Sequence, residues 1–298
     1  LHKITCFDTP NPILGRNPIR YPALDEATPQ PSHYGASTIK EILMKQPNLP
    51  PLSPEASASS EKLERIIQSE IQKSNNWLPF SRFMQMALYT PQYGYYTGGS
   101  QKIGAAGDFV TAPVISPLFA KTLSRQLKKL LPQTAGDIYE FGAGGGELAA
   151  DLLPNLADDI KTYYIIELSS ELKERQKQSF LEKVPHLAEK VKWLNQLPIK
   201  FDGVIIGNEV LDAIPCELIL HDEIGFQRMG VSFKDGGFVQ IPYLLTDSEL
   251  LGLAHTYFPD TVPYTSELHP QQHVFVRTLA EKLETGAIIL IDYGFDAA

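Results

Sequence analysis

The sequence predicts an α/β fold with a parallel sheet, an N-terminal helical and loop region, and an inserted β meander. From about residue 135, short apolar segments alternate with helical segments, and apolar strands joined through helices form parallel sheets. Between about residues 216 and 245, three strand-sized segments are instead separated by Gly and Asp turns. That change of rhythm indicates antiparallel strands inserted into the parallel sheet.

The first two regions precede the predicted sheet. Residues 1–58 contain 10 of the 23 prolines and are predicted to be a flexible lead. Residues 59–134 form a predicted cap, with helices at "SSEKLERIIQSEIQKS" and "PFSRFMQMALY" followed by Gly- and Pro-rich loops. The loop tyrosines Tyr93, Tyr95 and Tyr96 either pack on the main domain or line a pocket.

The third region, residues 135–298, is the predicted sheet domain with its insertion at about 216–265. Its strands are "DIYEF", "TYYIIE", "VKWL", "FDGVIIGNEV" and "AIILIDYG", and helical segments separate most of them. A doubly wound sheet of this kind binds ligands where the strand order reverses, at the carboxyl ends of the strands. The first strand-to-helix turn is therefore the place to look for a site.

Composition narrows the possible partners. The chain has 298 residues, 43% of them hydrophobic, and a net charge of -9. Nucleic acid is not expected, because phosphate binding needs a basic face. No apolar run reaches the roughly 18 residues of a membrane span, so no membrane insertion is expected. The two cysteines, Cys6 and Cys216, show no spacing typical of a disulfide framework or a zinc site, so no metal is expected.

The turn after the first strand reads G-x-G-x-G, with Gly142, Gly144 and Gly146. The dinucleotide fingerprint places its third glycine one position later and binds a pyrophosphate at the helix N-terminus. Glu147 in the first helical turn would repel a pyrophosphate, and Glu140 before the turn adds negative charge. A cationic adenosyl ligand such as S-adenosyl-L-methionine fits these acids better.

A second acidic residue supports the interpretation that the ligand contains a nucleoside. Glu167 follows the second strand, 21 residues after Gly146, where a ribose-binding acid is expected. The alternative interpretation is that Glu167 merely starts the next helix ahead of Ser169.

The fourth strand is followed by "GNEVLDAIP", which presents Asn208, Glu209 and Asp212. A carboxylate can take two donors of a guanidinium and aim its third nitrogen at a methyl group. Glu209 and Asp212 are therefore the predicted catalytic residues. The alternatives are that Glu209 is structural and that Asp212 caps the following turn.

Six segments occur in a fixed order: "FMQMALYTPQYGYYTGG", "GDFVTAPVISPLF", "EFGAGGGEL", "YYIIELSSELKERQ", "GNEVLDAIP" and "IDYGF". Together they resemble the MidA-like methyltransferase family, from about residue 60 to the end. That family includes the mitochondrial protein arginine methyltransferase that assists assembly of respiratory complex I. The resemblance implies a Rossmann-like class I methyltransferase sheet that uses S-adenosyl-L-methionine. It also implies that the C-terminal hairpin of such sheets is missing here, since the chain stops at Ala298 after the fifth strand.

The resemblance also assigns roles to residues. The glycine turn should approach the methionyl part of the cofactor and Glu167 the ribose hydroxyls. Trp193 and Leu194 should flank the adenine, and Asn208 should lie beneath the sulfonium. From the residues and the resemblance together, the predicted cofactor-binding residues are Gly107, Asp108, Thr111, Glu140, Gly142, Ala143, Gly144, Glu167, Leu168, Trp193, Leu194 and Asn208.

The predicted function is methylation of an arginine in a partner protein, by resemblance a subunit of the respiratory NADH dehydrogenase. Homodimerisation is a further option, and the expected location is the bacterial cytoplasm or else the mitochondrial matrix. Three alternatives stay open: a nicotinamide-dependent oxidoreductase, a methyltransferase of small molecules, and a non-catalytic assembly protein.

Overall fold

The computed structural model describes residues 53–98 and 112–294, together with the backbone of residues 42–43. Most of the predicted lead therefore lies outside the described residues. Contacts divide the chain into two compact units, whose described parts are 112–214 with 271–294 and 53–98 with 215–270. We call them the parallel unit and the antiparallel unit.

The helices and strands are numbered in chain order. The helices are α1 (Pro54–Lys73), α2 (Phe80–Tyr89), α3 (Ala112–Ile115), α4 (Pro117–Leu130), α5 (Glu147–Leu156), α6 (Ser170–Lys183), α7 (Ser248–Tyr257) and α8 (Pro270–Lys282). The strands are β1 (Ile42–Leu43), β2 (Leu78–Pro79), β3 (Asp137–Phe141), β4 (Thr162–Ile166), β5 (Val191–Leu194), β6 (Phe201–Asn208), β7 (Glu217–Asp222), β8 (Gly225–Lys234), β9 (Gly237–Leu244), β10 (Tyr264–Leu268) and β11 (Leu283–Ile291).

The parallel unit contains a five-stranded sheet in the order β11-β6-β3-β4-β5. Every neighbouring pair in it is parallel. Along the chain, β4 and β5 follow β3 on one side of it in the sheet, and β6 and β11 are then added on its other side. The strand order therefore reverses between β3 and β6, which confirms the α/β fold class predicted from the sequence.

Two apolar layers cover this sheet because its strands alternate their side chains between the two faces. Ile138 packs with the buried residues of α4 and α5 on one face. Tyr139 and Phe141 point to the other face, where they meet α8, and the Phe141 and Phe275 rings pack edge to face at 5.4 Å. Burying one such large apolar side chain is worth about 1.5–3 kcal/mol, so both faces stabilise β3.

The antiparallel unit contains the predicted β meander, in a six-stranded sheet ordered β1-β9-β8-β7-β10 with β2 paired to β8. The helices α1 and α2 belong to the same unit, and Ile67, Ile71 and Met86 form an apolar cluster with Val231 of β8. The N-terminal helices and the inserted strands thus share a core although almost 130 residues separate α2 from β7 in sequence. The predicted domain boundaries stay a prediction, because compact contact units need not fold as domains.

The loop tyrosines contact side chains of the antiparallel unit. Tyr96 packs against Tyr89 of α2 at 5.6 Å and against Tyr95 edge to face at 5.2 Å. The ammonium group of Lys62 lies 5.6 Å from the centre of the Tyr93 ring. Such contacts hold an aromatic loop on its own unit. Separately, none of the helices in the described ranges is long and apolar enough to cross a membrane.

Candidate functional site

The turn between β3 and α5 requires glycine because its backbone is left-handed at three positions. Gly142, Gly144 and Gly146 have φ angles of +66°, +54° and +86°, a region that side chains rarely enter. The Gly146 N–H donates to the Ala143 carbonyl over 2.7 Å. Within the described ranges no side chain caps the start of α5, so its first amide groups suit a polar ligand.

Two of these glycines also allow close packing. A Cβ atom on Gly142 would lie 3.0 Å from the Val210 side chain, and one on Gly146 would lie 3.0 Å from the Phe180 ring. The turn therefore fits between α6 on one side and the segment after β6 on the other. A larger residue at either position would push these elements apart.

Glu140, the acid before the turn, is buried, and its pKa is raised. Its side chain is 2% exposed, and its carboxylate accepts a hydrogen bond of 2.9 Å from the Tyr163 hydroxyl. Burial raises the pKa of Glu140 to about 8, and the charge of Glu147 adds to the effect. Glu140 therefore carries the negative charge expected from the sequence only after its carboxyl has lost its proton.

Glu167 lies directly after β4, and backbone donors orient its carboxylate. One oxygen accepts from the Leu168 N–H at 2.9 Å and from the Ser169 N–H at 2.8 Å. Ser169 is itself the cap of α6, so Glu167 also contacts the start of this helix, a contact compatible with both interpretations. Burial raises the pKa of Glu167, while these backbone donors and Lys173 act in the opposite direction.

Gln176 of α6 connects the glycine turn with β5 and was missed by the sequence analysis. It is fully buried, donates to the Gly144 carbonyl at 2.8 Å and accepts from the Trp193 indole N–H at 2.7 Å. Phe180 and the ammonium group of Lys177 also contact the Trp193 ring, at 6.0 and 5.7 Å. Gln176 thereby fixes the glycine turn and the predicted adenine-binding residue in one arrangement.

The sheet register brings the ends of four strands to one edge. Phe141 of β3 pairs with Ile166 of β4 and with Gly207 of β6, and Ile166 pairs with Leu194 of β5. The Leu194 carbonyl accepts from the Glu167 N–H at 3.0 Å. Residues predicted from separate motifs therefore lie along one edge of the sheet, which includes the switch point between β3 and β6 where doubly wound sheets bind ligands. Leu168 lies at this edge with a 44% exposed side chain.

The segment after β6 begins with a strained residue. Glu209 has a φ of +52°, a conformation that costs a non-glycine residue about 1 kcal/mol or more. Its N–H donates to the Ile291 carbonyl of β11 at 2.8 Å, and its carboxylate lies 3.4 Å from the Asn208 amide nitrogen. Burial raises the pKa of Glu209, and the nearby carboxylates of Asp212 and Asp292 raise it further.

Asp292, after β11, anchors this segment. One of its oxygens accepts from the N–H groups of Leu211 and Asp212 at 3.0 and 3.1 Å. The Tyr293 hydroxyl donates to Asp212 at 3.0 Å, while burial and the Asp292 charge raise the pKa of Asp212. Among the described residues, no lysine or arginine forms an ion pair with Glu209, Asp212 or Asp292. Three acids with no basic partner in the part of the chain that the structure describes make this edge suited to a cation.

Asp292 and Tyr293 were quoted in a family motif but given no role. An acid at the carboxyl end of the strand beside β6 was a usable signal, since parallel strand ends share one edge. Gln176 gave no such signal, because α6 is polar along most of its length. The predicted residues Gly107, Asp108 and Thr111 lie outside the described residues.

Two solved structures with high similarity come from Burkholderia thailandensis. The first, a protein bound to S-adenosyl-homocysteine, is 42% identical with a TM-score of 0.78 and covers 83% of this chain and 66% of that one. The second, a native crystal structure, is 41% identical with a TM-score of 0.75 and covers 84% and 65%. Both likenesses extend across most of this chain.

Curated relatives are more distant. "Protein arginine methyltransferase NDUFAF7 homolog, mitochondrial" of Caenorhabditis elegans is 26% identical over 280 residues, which are 83% of this chain and 66% of the relative. "Protein arginine methyltransferase NDUFAF7, mitochondrial" of Homo sapiens is 24% identical over 256 residues, 75% of this chain and 57% of the relative. The chain therefore spans less than two thirds of the length of these relatives.

The sequence profile of the family described as "Putative S-adenosyl-L-methionine-dependent methyltransferase" matches residues 118–298. The match covers more than half of the chain and contains β3 to β6 and β11. The resemblance inferred from six short motifs is thereby confirmed, and with it the family's cofactor, S-adenosyl-L-methionine. The chain belongs to the MidA-like family of S-adenosyl-L-methionine-dependent methyltransferases.

Proposed function

We propose that this protein transfers a methyl group from S-adenosyl-L-methionine to an arginine of a partner protein. The observation that carries the proposal is the arrangement at the switch point of the parallel sheet. A glycine turn and a ribose-type acid follow β3 and β4, while three acids without a described basic partner follow β6 and β11. The first group suits an adenosyl cofactor, and the second suits a cationic acceptor.

The cofactor roles follow from the chemistry of each group. The amide groups at the start of α5 suit the carboxylate of the methionyl part, and Glu140 in its ionised form suits the ammonium. Glu167 is already oriented by two amides and suits the ribose hydroxyls, with Trp193 beside the adenine. The related structure with bound S-adenosyl-homocysteine supports this assignment.

Glu209 and Asp212 are proposed to hold the acceptor. An arginine side chain stays protonated in proteins and presents a rigid fork of donors, which a carboxylate binds through two of them. In the reaction a lone pair on the remaining guanidinium nitrogen attacks the methyl carbon, the carbon–sulfur bond breaks, and sulfur keeps its electron pair. The proton on the attacking nitrogen leaves to a carboxylate or to water.

The identity of the acceptor rests on the relatives, whose names describe mitochondrial protein arginine methyltransferases. From the family resemblance we propose a subunit of the NADH dehydrogenase as the partner. The similar structures from Burkholderia thailandensis favour the bacterial cytoplasm as the place of action, with the mitochondrial matrix as the alternative. A small-molecule acceptor is the second candidate, since an isolated cation of any size could bind to the same acids. A homodimer is compatible with either.

The decisive variant is Glu209→Gln in the full-length protein, because it keeps the side-chain shape but removes the charge. Affinity for S-adenosyl-homocysteine should change less than about threefold, whereas methyl transfer should fall roughly 10²-fold, since a charged hydrogen bond contributes about 1.5–3 kcal/mol and alignment is lost as well. The assay follows a labelled methyl group into a cell lysate and identifies the labelled band by mass.

Glu223→Gln, an exposed acid in the turn between β7 and β8, is the matched control and should behave as the wild type. Full activity in Glu209→Gln would remove this residue from the mechanism. Label in a small metabolite would favour the second candidate, and cofactor binding without any methyl transfer by the wild type would favour a non-catalytic protein.

A further inference from the structure

Three metal-ligating side chains meet at one end of the β7–β10 ladder in the antiparallel unit. Cys216 directly precedes β7 and His269 directly follows β10. Leu268 pairs with Glu217 in the antiparallel register, so Cys216 and His269 stand opposite each other one step further along. Side chains alternate along a strand, which places Glu267 on the same face as these two residues. The topology thus gathers a thiol, an imidazole and a carboxylate on one face.

Distances and burial agree with this placement. The candidate ligand atoms of the three residues lie within 4.8 Å of one another. Nε2 of His269 lies 3.3 Å from a Glu267 oxygen, whereas its Nδ1 is buried and has no hydrogen-bond partner among the described residues. The Cys216 thiol is also buried, and its sulfur lies 3.9 Å from the Met84 sulfur. A buried ring nitrogen without a partner is uncommon in folded proteins and calls for an explanation such as a water molecule or an ion. Nδ1 belongs to the same ring as Nε2, the nitrogen that lies beside Glu267.

We propose that Cys216, Glu267 and His269 bind a zinc ion. A mixed set of sulfur, nitrogen and oxygen ligands is typical of zinc, whereas calcium and magnesium prefer oxygen alone. Zinc bonds of about 2.0–2.3 Å would bring tetrahedral ligand atoms to about 3.5 Å from one another, so side-chain movements of about 1 Å close the site. On binding, the Cys216 S–H bond breaks, a Zn–S bond forms, and the proton leaves to the solvent.

The ion would fasten β10 to β7 at the end of their ladder, between residues 53 positions apart in sequence. This separation explains why the spacing of cysteines and histidines along the sequence indicated no zinc site. The ligands come from two strand ends that only the antiparallel pairing brings together. Glu267 is more than half exposed, which leaves room for a water molecule as the fourth ligand.

Cobalt(II) is the first probe, because a thiolate bound to cobalt gives a near-ultraviolet charge-transfer absorption that oxygen and nitrogen ligands do not give. Untagged wild-type protein should show this band and saturate at one equivalent, and zinc should displace the cobalt. Cys216→Ser should lose the band, whereas Cys6→Ser, which replaces the other cysteine of the chain, should keep it. Absence of the band from the wild type, or its persistence in Cys216→Ser, overturns the proposal.

A second measurement decides the matter if Cys216→Ser does not fold. His269→Asn should weaken zinc binding by roughly tenfold or more, and the increase in melting temperature that zinc gives the wild type should shrink accordingly. His255→Asn, in the neighbouring helix α7, is the matched control and should bind zinc as the wild type does. Equal zinc affinity in His269→Asn and the wild type means that the ion binds elsewhere, and the proposed site is then wrong.

Discussion

The carboxyl ends of β4 and β6 both carry acids, and their surroundings differ. After β4, Glu167 accepts from two backbone amides, so its carboxylate is already oriented. After β6, Glu209 has a left-handed backbone and lies near the carboxylates of Asp212 and Asp292, which raise its pKa. The first end is organised by its own backbone, whereas the second concentrates negative charge that a cation would neutralise. This contrast is what we expect for a cofactor subsite beside an acceptor subsite.

Of the changes considered, loss of Asp292 should have the largest effect, and it should lower methyl transfer without lowering cofactor affinity. Asp292→Ala removes the acceptor of two amide groups in the segment that presents Glu209 and Asp212. Methyl transfer should fall roughly 10²-fold, because hydrogen bonds to a charged group contribute about 1.5–3 kcal/mol each and the acceptor is no longer aligned. Affinity for S-adenosyl-homocysteine, measured by calorimetry, should change less than about threefold.

Asp292→Asn serves as the graded control, since its amide oxygen can still accept both hydrogen bonds without the charge. It should retain more activity than Asp292→Ala. If both variants lose cofactor affinity in parallel with methyl transfer, the two strand ends form one subsite and the contrast between them is broken.

A substitution in the glycine turn should lower the affinity for the cofactor and leave the proposed acceptor site unchanged. Gly144→Ala places a side chain on a backbone at φ +54° and next to the expected methionyl part. Affinity for S-adenosyl-homocysteine should fall roughly tenfold or more, through strain of about 1–2 kcal/mol and lost space. Calorimetry measures the effect directly.

Gly236→Ala is the matched control, because Gly236 also has a positive φ, of +81°, and no atom of the described residues lies within 4 Å of where its Cβ would be. It should lose comparable stability but no cofactor affinity. An equal loss of affinity in both variants would show that instability, and not contact with the ligand, explains the result.

The sequence predicted the cofactor side in more detail than the acceptor side. Gly142, Gly144 and Gly146 were recognisable because only a left-handed turn needs glycine at such a spacing. Glu167 was recognisable by its distance from that turn. These signals are local, so a single stretch of sequence contains them.

The connections between segments could not be predicted from local patterns. Gln176 links Gly144 with Trp193, and Asp292 fixes residues 81 and 80 positions earlier. Such contacts depend on which strands become neighbours. For the same reason the sequence showed the β meander but not that α1 and α2 share its core.

Glu140 should have its clearest effect on the pH dependence of stability. Its pKa rises from 4.5 to about 8 in the folded protein, chiefly through burial. A carboxyl whose pKa is higher in the folded than in the unfolded protein makes its full contribution to stability when the pH lies below the unfolded pKa. That stabilisation is lost progressively as the pH rises from about 4.5 to about 8, by at most about 5 kcal/mol.

Glu140→Gln keeps the shape of the protonated side chain but cannot ionise. Urea unfolding between about pH 5 and pH 9 should therefore show the variant gaining stability relative to the wild type up to about pH 8, with a constant difference above it. Glu223→Gln, an exposed acid, should give a curve parallel to that of the wild type.

A ligand ammonium favours the ionised form of Glu140. Binding of S-adenosyl-homocysteine near pH 7 should therefore also release a proton, which calorimetry in buffers of different ionisation enthalpy detects. Parallel stability curves for Glu140→Gln and the wild type would mean that Glu140 is already ionised in the free protein, and the turn would then offer a permanent charge to the cofactor.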